Sequence, residues 1–434
     1  MSRALSEIAQ INPQVSPPAG AVVSTPVSFV PMSDVTESGD WVGRQVRRLG
    51  DVRSGFTAFA DGDVLVAKIT PCFENGKGAH VVGLTNGVGF GSTEFHVLRA
   101  REGVSSRFIH QVTQSTRLRR AAEAHMSGSA GQRRVPREFF DVFKVPDFSP
   151  KEQQQIGVVL DTLDATIRQT EAVIEKLKQV KLGLLHDLLT RGIDANGELR
   201  PPQRRAPHLY KDSSLGWIPT VWEARPLAMC AAKITDRDHT TPAYLHEGVL
   251  MISPVNLYDE EGIDFANAKR ISHRAHLINR KKTDLQPGDL VLHRIGAGLG
   301  RVRLLSAEMP PFSILHSMAQ IRPSSPVMTG EFMLWALRDN RVQYQIELGT
   351  QSIGVPDLGL DKIGGLVVVA PSLKEQAAIA SVLSTHQRRI ETTRSELDKL
   401  RALKSGLMDD LLTGRVRVTS LIQGNGQSPS EGNT

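Results

Sequence analysis

The chain has 434 residues, enough for two or three domains, and its 5% aromatic and 23% charged residues are those of a globular protein rather than a disordered one. With 52 Lys and Arg against 46 Asp and Glu the net charge is +6, which suits a nucleic-acid partner without requiring one. No apolar run approaches the roughly 20 residues of a membrane span, so a cytoplasmic protein with no membrane partner is expected.

Residues 1–147 read as a first block, α/β or mostly β. After a proline-rich lead (Pro13, Pro17, Pro18, Pro26) come SFVPMSDV and then GDVLVAKITPCFENGKG, from Gly62 to Gly78, a Gly-Asp turn followed by a strand and a polar glycine loop. GFGSTEFHVLR follows at Gly89 to Arg99, and FIHQVTQSTRLRRAAEAHM favours a helix. A basic loop, SGSAGQRRVP, and a short strand, FKVP, close the block.

Residues 148–192 carry a long helix with an apolar stripe at spacings of four and three: Ile156, Leu160, Leu163, Ile167, Thr170, Ile174, Leu177, Lys181, Leu184 and Leu188. Residues 193–213, rich in proline and charge without an apolar period, form a linker. Residues 214–370 then repeat the order of the first block, LMISPVNL for SFVPMSDV, GDLVLHRIGAGLGRVRLL for the glycine-loop segment, ILHSMAQIRP for GFGSTEFHVLR. Residues 371–415 hold a second long helix, and the Gly, Ser and Asn-rich tail 416–434 is expected to be largely disordered.

The two helices are copies. Lys151–Thr190 and Lys374–Thr413 align without a gap, with about 18 of roughly 40 positions identical. The second stripe runs Ile379, Leu383, His386, Ile390, Thr393, Leu397, Leu400, Lys404, Leu407, Leu411, so Thr and Lys interrupt both stripes at the same two places. At 1.5 Å per residue each helix spans ~60 Å and cannot bury its own stripe. An antiparallel pair is expected, a rod holding the two blocks apart. Each lysine stem should lie along the stripe with its ammonium outward, so that leucine in place of Lys181 or Lys404 would keep or raise stability.

Enzyme chemistry is not legible. GAGLG, ending at Gly300, has the spacing GxGxG rather than GxGxxG and leads into RVRLL, a strand and not a helix, so a nucleotide-binding enzyme is the weaker alternative. SPPA at Ser16 and MPPF at Met309 lack the Asp/Asn-Pro-Pro-aromatic form of an amino methyltransferase, ENGKG is no phosphate loop, and the histidines form no HExxH. Cys72 and Cys230 lie outside any CxxC or Cys/His cluster, which points to a reducing compartment and implies no metal.

What remains is polar and basic loop chemistry. Lys68, Thr70, Asn75 and Lys77 cluster in the first glycine loop, Thr93 stands in GFGSTEF, and Arg117, Arg119, Arg120, Ser129, Gln132, Arg133 and Arg134 flank the second loop. Block two has Arg294, Arg301, Arg303, Ser317, Gln351 and Ser352 in corresponding places. Cations neutralise phosphates, while Arg, Gln, Asn, Ser and Thr reach base edges. Singly, each is what any solvated basic face carries; recurrence in both blocks makes the set a candidate DNA-binding surface.

These residues, with the helix lead-ins SPKEQQQI and SLKEQAAI, the exits GLLHDLLTRG and GLMDDLLTGRVRV, and LGWIPTVWE opening block two, resemble the specificity subunit of Type I restriction-modification enzymes across nearly the whole chain. The resemblance implies an α+β fold, with two similar α/β target recognition domains separated by two long antiparallel helices in a coiled coil, related by an internal pseudo-two-fold repeat. It implies a subunit without catalysis or cofactor of its own, bound to double-stranded DNA and to two modification subunits that carry S-adenosylmethionine, with restriction subunits as further partners. A stand-alone DNA-binding or scaffold protein is the other reading. One departure is that block one opens on INPQVSPPAG, without the tryptophan-bearing stretch found at Leu215 to Glu223.

Overall fold

The computed structural model describes residues 2–129, 131–238, 240, 242–258, 261–350 and 355–419. The expected disordered tail lies outside the described residues from residue 420 on. The chain divides into two compact units, Met1–Ala172 with Arg394–Thr434, and Val173–Thr393.

The first unit contains β1 (Ser2–Ala4), β2 (Ala9–Ile11), β3 (Pro26–Val30), β4 (Gln45–Arg48), β5 (Thr57–Ala60), β6 (Val64–Ala67), β7 (Gly78–His80), β8 (Val88–Gly91), β9 (Phe95–Ala100) and β10 (Lys144–Pro146). They form two four-stranded sheets, ordered β2-β9-β6-β7 and β4-β3-β8-β5, with β1 paired to β10. The run VLVA is apolar without alternation because β6 is covered on both faces. Val64 and Val66 pack with Phe108, Ile109 and Phe140, while Leu65 packs with Phe59, Val30 and Ala79. The Gly-Asp turn before it does more than reverse the chain: Asp63 accepts the Ala60 amide at 2.7 Å and both Arg99 nitrogens at 2.8 and 2.7 Å, clamping β6 to β9.

The second unit contains β11 (Tyr210–Lys211), β12 (Ile218–Pro219), β13 (Glu223–Pro226), β14 (Ala231–Thr235), β15 (Val249–Ile252), β16 (Leu257–Tyr258), β17 (Gly262–Ile263), β18 (Lys269–Ile271), β19 (Leu290–His293), β20 (Val302–Leu304), β21 (Phe312–Ile314), β22 (Met318–Pro323) and β23 (Val367–Ala370). Its sheet β14-β22-β19-β20 repeats β2-β9-β6-β7, and β18-β15-β21 repeats β4-β3-β8 down to the parallel pairing of β15 with β21 and of β3 with β8. The clamp recurs, with Asp289 accepting Arg322 at 2.8 Å and the Gln286 amide at 2.9 Å. In the first unit β1 pairs with β10 as β13 pairs with β23 in the second.

The long helices run Pro150–Thr190 and Leu373–Leu412. Within the first unit Lys404 meets Asp164 at 2.5 Å and Arg401 meets Glu171 at 2.7 Å, so one number rises as the other falls and the helices are antiparallel. Their lead-ins explain why KEQ occurs twice. Gln153 accepts the Ser105 amide at 3.1 Å and donates to Phe148 O at 2.9 Å; Gln376 accepts the Thr329 amide at 3.0 Å and donates to Pro371 O at 2.9 Å. Ser105 and Thr329 cap the helices Ser106–Gln114 and Gly330–Leu337, so each glutamine fastens a block to a long helix at the same point. Thr170 and Thr393 need no partner across the stripe, since each hydroxyl bonds the carbonyl four residues back at 2.8 Å.

The lysines correct the expectation from sequence. Lys181 is buried at 4% exposure and donates to Gln387 Oε1 at 2.9 Å, and Lys404 has Asp164 for a partner; neither ammonium reaches outward. Asp164 and Gln387 occupy the same place in the two copies, so the duplication preserves one buried cross-helix bond with a carboxylate at one end and an amide at the other. A heptad stripe reports which side of a helix is covered, not which polar group waits opposite it.

Residues 193–213 make specific bonds. Arg200 and Glu375 form an ion pair at 2.5 Å with side chains 13% and 10% exposed, and Glu375 also accepts the Ile193 amide at 3.0 Å and the Trp222 indole at 2.9 Å. Among the described residues no helix is long and apolar enough to cross a membrane.

Candidate nucleic-acid interface

At the end of β6 three loops of the first unit are stitched together by backbone bonds. Lys68 N donates to Glu94 O, Thr70 N to Arg133 O and Val135 N to Lys68 O, each at 2.9 Å. The sequence thus brings Lys68, Thr70, Asn75, Lys77, Thr93, Gln132, Arg133 and Arg134 into one cluster, although they span nearly seventy residues. The turn at Asn75–Gly76 requires glycine, because Gly76 has φ +93° and a Cβ there would stand 2.6 Å from Glu37 O. Lys77 Nζ donates to Met32 O at 3.3 Å, joining the glycine loop to the connection between β3 and β4.

The same stitching recurs in the second unit. Arg294 N donates to Ser317 O and Leu358 N to Arg294 O, at 2.9 and 2.8 Å, and Arg301 Nη1 donates to Leu257 O at 2.9 Å. The GAGLG loop folds over His293, whose ring nitrogens lie 2.8 Å from Gly298 O and 2.7 Å from Ile295 O. Gly296, Gly298 and Gly300 all have positive φ, and the next element is β20 rather than a helix, so no helix N-terminus is there to hold a phosphate.

Four of the sequence candidates are corrected by their burial. Arg119 is 9% exposed and donates to Phe73 O at 2.5 Å and Gly76 O at 2.9 Å, holding the glycine loop from beneath, and burial lowers its pKa to about 10. Arg294, 4% exposed, is pinned between Asp236 at 3.2 Å and Asp357 at 2.8 Å. Arg303, 2% exposed, bonds Gly262 O and Tyr258 O, and Ser317 is buried beside the Arg294 loop. These side chains shape loops and present no charge or hydroxyl to a ligand.

Of the rest, Asn75, Thr93, Arg117, Arg120, Ser129, Gln132 and Arg133 are exposed. Several are already engaged: Arg134 grips Glu94 through two bonds of 3.0 and 2.9 Å, which holds the Glu94 carboxyl below its ordinary value, while Arg133 lies 3.6 Å from Glu74 and Arg117 donates to Lys144 O. Gln351 and Ser352 lie outside the described residues. Sequence reasoning passed over Arg44, just before β4, Arg47 and Arg48 on β4, and Lys269 and Arg270 on β18, exposed cations at the corresponding edge strand of each unit. RQVRR was the available signal. Among the described residues no three His, Cys, Asp or Glu side chains come together as metal ligands.

Behind the first cluster His110 is buried and donates from Nε2 to Gly39 O at 3.0 Å. Burial, then the neighbouring His80, lower its pKa from 6.5 to about 4, against the opposing pull of Asp161 and Asp164. The unfolded chain therefore takes up this proton first as pH falls, so the contribution of neutral His110 is complete above about pH 6.5 and is lost toward pH 4. The urea midpoint of the first unit is expected to fall over that window, and less steeply in His110→Gln; parallel profiles for the two proteins would refute this.

No protein-family model matches the chain. It is 41% identical over 152 residues to the Type I restriction enzyme EcoEI specificity subunit of Escherichia coli, and 39% identical over 180 residues to the EcoAI specificity subunit of the same organism. Those matches take in 35% and 41% of this chain but only 25% and 29% of the relatives, so the matched stretch is little more than a quarter of their length. The crystal structure of the Type I restriction-modification system S subunit from M. genitalium superposes with a TM-score of 0.56 at 14% identity, over 95% of this chain and 96% of that one. The chain resembles the Type I specificity subunits in sequence and fold. The likeness to the S subunit is one of architecture, mixed sheet-and-helix blocks with long helices, and it leaves the roles of the loop residues to their own geometry.

Proposed function

We propose that this chain is the DNA-recognition subunit of a Type I restriction-modification complex and catalyses no step itself. The observation that supports this reading best is the duplication, in which one structural frame is built twice with different residues in the stitched loops. Each unit reads one half of a bipartite site in double-stranded DNA, and the long helices set the distance between the halves. Two modification subunits dock on the chain and supply S-adenosylmethionine and methyl transfer; restriction subunits would add cleavage. The chain acts in the cytoplasm, where its DNA is.

In this reading the exposed side chains of the stitched loops, Asn75, Thr93, Ser129 and Gln132 in the first unit, meet base edges, while cations meet phosphates. Half-site centres about one helical turn apart, roughly 10 base pairs, leave several unread base pairs between them. The test is binding or methylation by the assembled complex on duplexes varied in each half and in spacer length. Gln132→Ala is expected to relax one half-site by about 1–3 kcal/mol and leave the other untouched, with Gln351→Ala doing the reverse. Residues inserted into both long helices should change the spacer and neither half. A continuous target, or a Gln132 variant that relaxes both halves equally, would be inconsistent with two independent readers.

A further inference from the structure

A polyanion binds where cations are not already neutralised, because affinity comes from exchanging its counterions for protein charge. Among the basic residues of the stitched loops, Arg133 and Arg134 face Glu74 and Glu94, Arg119, Arg294 and Arg303 are buried, and Lys77 and Arg301 are bonded to main-chain carbonyls. Exposed positive charge without a carboxylate partner also gathers on a different element. Every residue of β4 is exposed, and among the described residues neither Arg44, Arg47 nor Arg48 has a carboxylate partner. Arg44 lies over the Trp41 ring at 3.8 Å and Arg47 over Phe29 at 3.7 Å. Those rings hold the guanidinium groups in place without cancelling their charge.

The corresponding strand of the second unit is β18, an edge strand antiparallel to β15 as β4 is to β3. It carries Lys269, over the Tyr244 ring at 4.3 Å, and Arg270, which donates to Gly248 O at 3.0 Å; both are exposed and neither has a carboxylate partner among the described residues. The loop residues of the two units differ, yet the same edge keeps its cations. Each edge strand is also tied to its stitched loops through the connection that precedes it. Lys77 bonds Met32 O and Gln45 bonds Asp34 at 2.9 Å in one unit, and Arg301 bonds Leu257 O in the other.

We infer that the β4 and β18 edges are phosphate-contact tracks, on which the backbone of double-stranded DNA lies irrespective of sequence while the stitched loops address its bases. The inference rests on the DNA-recognition reading. Its rival is protective: basic edge strands also deter edge-to-edge pairing of sheets, which would make the charge a defence against self-association.

The two part company on salt. Cognate and unrelated duplexes are titrated with the assembled complex from 50 to 200 mM salt, comparing wild type with Arg47→Gln/Arg48→Gln and with Lys269→Gln/Arg270→Gln. Each double variant is expected to lower the slope of log K against log salt by about one to two, and to weaken cognate and unrelated binding by the same factor with half-site preference unchanged. Arg47→Lys/Arg48→Lys, which keeps the charge, should retain the wild-type slope. An unchanged slope in the glutamine variants, or a lowered slope in the lysine variant, overturns the inference; so does altered half-site preference, which would make these residues base readers. A wild-type complex with no affinity for DNA would overturn the recognition reading itself, and this inference with it.

Discussion

Glu375→Ala is expected to destabilise the second unit by about 3–5 kcal/mol, read as a fall in urea midpoint at nearly constant slope. One carboxylate satisfies four donors: Oε1 accepts from Arg200 Nη1 and the Ile193 amide, Oε2 from Arg200 Nη2 and the Trp222 indole. Its removal leaves a guanidinium only 13% exposed with the Arg191 carbonyl at 3.0 Å but no carboxylate, and an indole N–H without its acceptor, and stranding a buried charge costs more than losing the bond that held it. Glu152, the same position in the first helix copy, provides the control. Its partner Arg417 is 46% exposed, so Glu152→Ala removes an ion pair open to solvent at its arginine end and a capping bond from Ser149 and is expected to cost about 1 kcal/mol. Equal losses at the two sites would show that burial of the pair is not what sets the cost.

Lys404→Leu is expected to cost about 3–5 kcal/mol, because it strands Asp164, 12% exposed, between the helices with, among the described residues, Gln111 Nε2 at 3.0 Å left to bond it. Lys181→Leu takes the lysine donor from the Gln387 amide oxygen, at an expected cost of about 1–3 kcal/mol. Leucine at both Lys404 and Asp164 should recover most of the loss, since two apolar groups in register avoid the desolvation of the ion pair. The measurement is a double-mutant cycle on unfolding free energy. A Lys404→Leu protein as stable as wild type would restore the outward-pointing lysine that the sequence pattern suggested.

The lysines and the loop arginines mark the same boundary of legibility. By itself the sequence determined the duplication, the two long helices with polar breaks at Thr170/Thr393 and Lys181/Lys404, the strand and glycine loop of each block, and the β20 strand after GAGLG. These follow from periodicity and punctuation, which are local: a helix or strand repeats its signal every few residues, and a glycine turn is announced by its own neighbours. Only the tertiary structure decided that Arg119, Arg294 and Arg303 are buried under the loops, that Lys404 faces Asp164, that Glu375 closes on Arg200 and Trp222, and that exposed cations line the β4 and β18 edges. An arginine bonded to a carbonyl forty residues away reads in the sequence like one bonded to water. Its charge becomes structural or available according to which distant segment the fold lays across it, and that is a property of packing rather than of residue order.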